Sequence, residues 1–372
     1  MHMPDTITGY AWSLNGTAHV NYSVGDNHIH EMVANKETNW RDFDVTRVAG
    51  GPELEDTVIT GYDWPDGRTK HINYTSTVGS DGHIYELTLD QNGTWSNKDL
   101  MKQVADAPLS DGSVLIGYAW IAGKSRQVVY LSPDSHIHEL SVGVDGMWHH
   151  SDLTQLTGAP LIEDVALAAY EWKARGTKEI FFKSADGRVH ELMTEVGGPW
   201  RHTDLTNLIG VPLAQGPALA GYAWKMLGTK QVVFVGTDGD IYELAAGTDN
   251  RWRYANLTEI ARTPLMSGSA LTGFAWETGL AKQVVYVGTD HHVHELMDGG
   301  EPGVHTDLTQ KLGAPEASDE IIVAYELPSR FAKHIIFLDT KENPHIHAFM
   351  LEHGGSWQHR DLTSLTGAPE LV

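Results

Sequence analysis

A glutamate flanked by apolar residues recurs at Glu31, Glu86, Glu139, Glu191, Glu243 and Glu295, and the next equivalent position holds Ala348. A carboxylate offers two acceptor oxygens. It can take hydrogen bonds from the N–H groups of a turn or from two neighbouring hydroxyls of a sugar. Twelve to fifteen residues earlier, at the head of an apolar segment, stands a polar residue: His19, His71, Gln127, Glu179, Gln231, Gln283 and His334. Histidine and glutamine both donate and accept, which suits them to hydroxyl patterns, although an exposed strand end would tolerate the same residues. All twelve tryptophans occupy two slots. One holds Trp12, Trp64, Trp120, Trp172, Trp224 and Trp276; the other holds Trp40, Trp95, Trp148, Trp200, Trp252 and Trp357. An indole either anchors packing or stacks on the apolar face of a sugar ring. The second slot opens an outer segment beside a loop and is the better platform.

Other chemistries are less well supported. His-x-His pairs at His28/His30, His136/His138, His292/His294 and His345/His347 would put two nitrogens on one face of a strand, as a metal site requires. Tyr85 and Tyr242 replace the second histidine elsewhere, and Arg188 and Asp240 replace the first, so packing is expected and no metal ligand is assigned. Asp-Gly turns hold too few acidic residues for a calcium loop. A catalytic centre is made once and breaks the repeat, and no such cluster stands out. No pair of carboxylates is singled out for glycoside hydrolysis, and no arginine cluster with a tyrosine nucleophile is evident. No catalytic residue and no cofactor is expected.

The elements that must position these residues are themselves repeated. A Gly-Tyr-Ala-Trp-like motif places an aromatic at Tyr10, Tyr62, Tyr118, Tyr170, Tyr222, Phe274 and Tyr325, at intervals of 51–56 residues. Each period carries four short segments rich in Val, Ile, Tyr, Phe and Trp, which fit a pleated, half-buried surface. Within the fifth period these are Gly221–Trp224, Lys230–Val235, Asp240–Leu244 and Trp252–Thr258. Asp81-Gly82, Asp186-Gly187 and Asp238-Gly239 separate the second and third segments and supply the positive φ of a tight turn. Gly-Ala-Pro turns close several periods. Four antiparallel strands in each of seven periods predict an all-β, seven-bladed β-propeller in one domain spanning 1–372. Its repeats run approximately over 5–56, 57–112, 113–164, 165–216, 217–268, 269–319 and 320–372. The first segment, with its small residues, is expected nearest the axis and the fourth outermost.

Composition narrows the partners. With 26 Lys+Arg against 49 Asp+Glu the formal net charge is −23, which disfavours nucleic acid and anionic membrane surfaces. No apolar run is long enough to span a bilayer, so no membrane insertion is expected. Met1–Asp5 reads as a polar lead-in rather than a secretory signal, pointing to a cytoplasmic protein or one released by a non-classical route. Absence of cysteine leaves the compartment open.

The order of polar residue, apolar strand, Asp-Gly-like turn, Ile-x-Glu-Leu and Trp resembles the repeat of the fungal fucose-binding propeller lectins. The full period, through Tyr-Ala-Trp, His-Glu-Leu and Asp-Leu-Thr to Gly-Ala-Pro, is closer to the bacterial seven-bladed lectins of the PLL type. The resemblance covers all seven repeats. It implies pockets between blades in which Trp stacks on the sugar, Glu accepts hydroxyl bonds and His or Gln orients it. The arginine of the fungal sites is missing at the head of the second segment. Repeat six has Gly303 in place of Trp, and repeat seven has Ala348 for Glu and Leu327 for the inner Trp, so fewer than seven pockets are fully equipped. The expected function is a multivalent lectin for fucose or a related, O-methylated sugar, acting on glycans or glycoconjugates, with homo-oligomerisation left open. A protein-interaction propeller is the main alternative and a glycan-processing enzyme a more distant one.

Overall fold

The β-forming segments pair four to a sheet, and in the computed structural model every sheet is built from four consecutive antiparallel strands. The structure describes residues 7–35, 39–54, 57–76, 82–299, 303–369 and 371, without the side chains of 163 and 164. Blade one comprises Ile7–Trp12, Thr17–Ser23, Ile29–Ala34 and Arg41–Asp44, and blade seven comprises Ala317–Leu327, Ala332–Asp339, Ile346–Glu352 and Gln358–Asp361. The first strands of successive blades pack against one another all the way round, and Ile7–Trp12 meets Ala317–Leu327. The first strand therefore lies innermost, as its small residues predict. Seven blades close into a propeller. Among the described residues no strand is exchanged between the ends; the ring closes by side-chain packing, with Ser329 Oγ donating to Gly16 O.

The Gly-Tyr pairing has a steric cause. A Cβ added to Gly61 would come within 2.4 Å of the Tyr10 ring, and one on Gly9 within 2.6 Å of Tyr325. Tyr62, Tyr170 and Tyr222 lie in the same way on Gly117, Gly221 and Gly273 of the next blade, where a side chain would clash, whereas Ala169 and Ala324 hold that position in blades four and seven.

The Asp-Leu-Thr motif is also explained locally. In blade three Asp152 caps the short helix Leu153–Thr157 by accepting from Gln155 N, and Gly158 ends it at φ 65°. Leu153 is buried, while Thr154 Oγ1 accepts from Ile137 N at 2.9 Å and ties the helix to the third strand. The same carboxylate holds His136 Nδ1 at 2.8 Å. Asp152→Ala is expected to cost about 1–2 kcal/mol in urea unfolding, whereas Asp152→Asn, which keeps the capping acceptor, should cost less. Gly187 and Gly239 adopt φ of 79° and 86° in the Asp-Gly turns; Asp81 lies outside the described residues.

Candidate functional site

Second strands are buried on both faces, so the polar residues at their heads do not sit at exposed strand ends. His19, His71, Gln127, Gln231, Gln283 and His334 are all buried between blades, as is Glu179. So are Glu31, Glu86, Glu139, Glu191, Glu243 and Glu295. Neighbouring blades present these faces to each other, and each glutamate meets a cation from the next blade. The pairs are Glu31–Lys70, Glu86–Arg126, Glu139–Lys178, Glu191–Lys230, Glu243–Lys282 and Glu295–Lys333.

Polar heads complete these contacts. His19 Nδ1 lies 3.0 Å from Glu31, and His71 Nδ1 lies 3.3 Å from Glu86. Gln127 Oε1 accepts from Lys178 Nζ at 3.1 Å, and Gln283 Oε1 from Lys333 Nζ at 3.0 Å. Tyrosine hydroxyls join them: Tyr10 donates to Glu31 at 3.2 Å and Tyr222 to Glu243 at 2.7 Å.

The two tryptophan slots converge on the same cation. Lys178 Nζ lies 4.9 Å from both the Trp120 and Trp200 rings. Lys333 lies 4.6 Å from Trp276 and 4.8 Å from Trp357. Trp12 and Trp95 flank Lys70, Trp64 and Trp148 flank Arg126, and Trp172 and Trp252 flank Lys230. Each of these five clefts therefore combines an inner Trp and a Glu from one blade with a cation and an outer Trp from the next. The electron-rich ring faces stabilise the buried positive charge.

Burial opposes ionisation of Glu31, yet Lys70 and His19 hold its carboxyl well below the usual range. Burial likewise raises Glu86, but His71 and Arg126 overcome it and bring it to about 2. Burial wins at Glu139, which is pushed up despite Lys178. It also wins at Lys70 and Lys333, whose ammonium groups are lowered.

These cations were missed as site residues, although they stand one position before the polar heads. Each is reached from the adjoining blade. The signal was present. Lys or Arg occurs in six repeats and is replaced by Ala18 in the first, while Glu is replaced by Ala348 in the last. Ala18 and Ala348 belong to one apolar cluster at the seam between blades seven and one, with Leu327, Ile336 and Trp40. Both partners of the ion pair are lost together, and the His334 ring lies 6.0 Å from that of Trp40, tilted against it, instead.

At the blade perimeter the His-x-His pairs join a second network. His28, His136, His292 and His345 each bond an aspartate at 2.8 Å. In blade four Arg188 bonds Asp204 at 2.9 Å, and in blade five Asn256 donates to Asp240 at 2.6 Å. Three-ligand groups such as His136, His138 and Asp152 lie within metal-binding reach. The guanidinium and amide that replace them elsewhere make the same strand-to-strand link without an ion.

No family model matches the chain, and no curated protein matches it in sequence. Among solved structures, the BP39L lectin from Burkholderia pseudomallei is similar over 100% of both chains, with a TM-score of 0.71 and 12% identity. The chain has the fold of that lectin. AofleA from Arthrobotrys oligospora matches 96% of this chain and 86% of its own, with a TM-score of 0.53 and 13% identity. The Aleuria aurantia lectin, described as a six-bladed β-propeller with a novel fucose recognition mode, matches 81% of this chain and 94% of its own, with a TM-score of 0.56 and 15% identity.

Proposed function

We propose that this propeller is a non-catalytic, multivalent lectin whose sugar sites are the clefts between blades. The observation that carries this reading is the repeated convergence of a carboxylate, a cation and indole faces in one cleft. A carboxylate accepts from adjacent hydroxyls, an ammonium or guanidinium donates to others, and an indole covers the apolar face of a pyranose. The fold agrees with it: the similar structures from Burkholderia pseudomallei and Aleuria aurantia are lectins, and the latter are described with fucose-containing ligands. Fucose or an O-methylated relative, carried on glycans, is the ligand class proposed.

Five clefts hold the complete set. The cleft between blades five and six lacks the outer indole, and the seam lacks both charges. A single weak site with Kd near ~1 mM corresponds to only about 4 kcal/mol. Several such sites on one rigid ring raise the effective affinity for a glycan-coated surface by about 10² or more.

A glycan array with labelled protein, followed by titration of L-fucose against tryptophan fluorescence, tests the proposal. Selective signal for one sugar family, competed by the free monosaccharide and weakened in Glu139→Gln, is the expected result. A blank array with unchanged fluorescence would sink the lectin reading and leave the clefts as packing.

A further inference from the structure

Five blade interfaces sandwich a cation between two indoles, at ring-centroid distances of 4.6–5.5 Å. The interface between blades five and six keeps the ion pair Lys282–Glu243 but has Gly303 where the outer tryptophan stands elsewhere. A cavity of about 80 Å³ opens there, walled by Leu257, Ile260, Ala261 and Leu296, with Lys282 and Glu243 at its polar side. Among the described residues no indole lies over the Lys282 ammonium. Its side chain is 15% exposed, against 0–9% for the other five cations. Lys282 also reaches Asp298 at 3.5 Å, and Gln231 Oε1, on the same interface, has no hydrogen-bond partner. Gly303 sits at φ 78°, and a Cβ there would come within 2.8 Å of Ile260 Cγ2, so this backbone does not accept the tryptophan of its counterparts.

We propose that the cleft between blades five and six binds a planar aromatic ring of about indole size, stacked on the Lys282 ammonium in the place of the missing tryptophan. The occupant is defined by the other interfaces, where the same cation takes an indole face. The apolar walls desolvate the ring, and the ammonium adds an attraction that only a π-face can answer. A saturated ring of equal size would fill the walls but gain nothing from the charge. The inference stands apart from the carbohydrate proposal, because free aromatics suffice to test it.

The experiment is ligand-observed saturation-transfer NMR on the full chain, with indole and cyclohexanol as probes. Wild type should show transfer to indole with millimolar binding and much weaker transfer to cyclohexanol. Ala261→Phe, which places a ring in the cavity from within, should weaken indole binding by about tenfold or more, corresponding to ~1.4 kcal/mol. If circular dichroism shows that variant to be unfolded, Met297→Phe fills the same cavity from its strand side. Absence of transfer to indole, equal transfer to cyclohexanol, or indole binding unchanged in the folded filled variant would each overturn the proposal.

Discussion

Replacing Glu295 by alanine should remove about 3–5 kcal/mol of stability, while replacing it together with Lys333→Met should restore most of that loss. Lys333 is 1% exposed and is held by Glu295, by Gln283 and by the faces of Trp276 and Trp357. Without the carboxylate, an ammonium remains buried with only a neutral amide and two rings to balance it. Two indoles offset the charge in part, about 1–2 kcal/mol each when desolvated. They do not replace a carboxylate. Removing both charges together leaves a slot that an unbranched apolar side chain fills, and such swaps are often neutral or stabilising. The molecule contains its own precedent. At the seam, Ala348 and Ala18 occupy the two places and the interface closes with apolar packing. The measurement is a double-mutant cycle by urea unfolding; additive losses in the double variant would show that the pair is not coupled across the interface.

Acidification should destabilise the ring as pH falls from 6.5 toward 4, the range in which its buried histidine pairs take up protons on unfolding. Four blades pair histidines directly: His138 with His150 at 2.9 Å, His190 with His202 at 3.0 Å, His294 with His305 at 2.9 Å and His347 with His359 at 3.0 Å. One N–H fits between two ring nitrogens, so both rings cannot carry their extra proton and keep the bond. Burial, assisted by the neighbouring His150, brings His138 down to about 4 against the pull of Asp152. Burial and His202 do the same to His190, against Asp204. A histidine whose folded pKa lies below its unfolded value binds its proton first in the unfolded chain. Its stabilisation is complete above pH 6.5 and is lost as pH falls toward 4. Each contributes a slope of up to about 1.4 kcal/mol per pH unit. His30 and His292, raised by their aspartates, act in the opposite sense and offset part of this. Because the lowered histidines outnumber the raised ones, the net slope should favour unfolding. Urea unfolding at pH 7, 6 and 5 reads it directly, and His138→Asn should reduce the slope. A flat or rising stability on acidification would show that these pairs are not neutral in the fold.

The propeller was legible before any coordinate because its evidence is local and repeated. The Tyr-x-Trp strand, the Asp-Gly turn and the Asp-Leu-Thr cap each obey short-range sterics and hydrogen bonding, and seven copies leave one plausible architecture. Glycine before tyrosine could be placed near the axis for the same reason, since crowding there selects small residues. The recurring Glu and Trp were visible as a set, but their environment was not. Alternation along a single strand shows which residues share a face; it does not say that the opposing face belongs to the next blade.

That distinction decided the site. Lys70, Arg126, Lys178, Lys230, Lys282 and Lys333 lie 38–40 residues beyond the glutamates they hold. Only blade-on-blade packing brings them together. Within one repeat nothing singles out these cations, and across the interface each becomes the centre of the cleft. The paired losses at Ala18 and Ala348 become intelligible only when the last blade meets the first. Strands, turns and small axial residues could be read from the chain because they depend on neighbours along it. Tertiary structure alone decided which charges meet, which indoles flank them and which cleft stays open, because each depends on two blades facing one another.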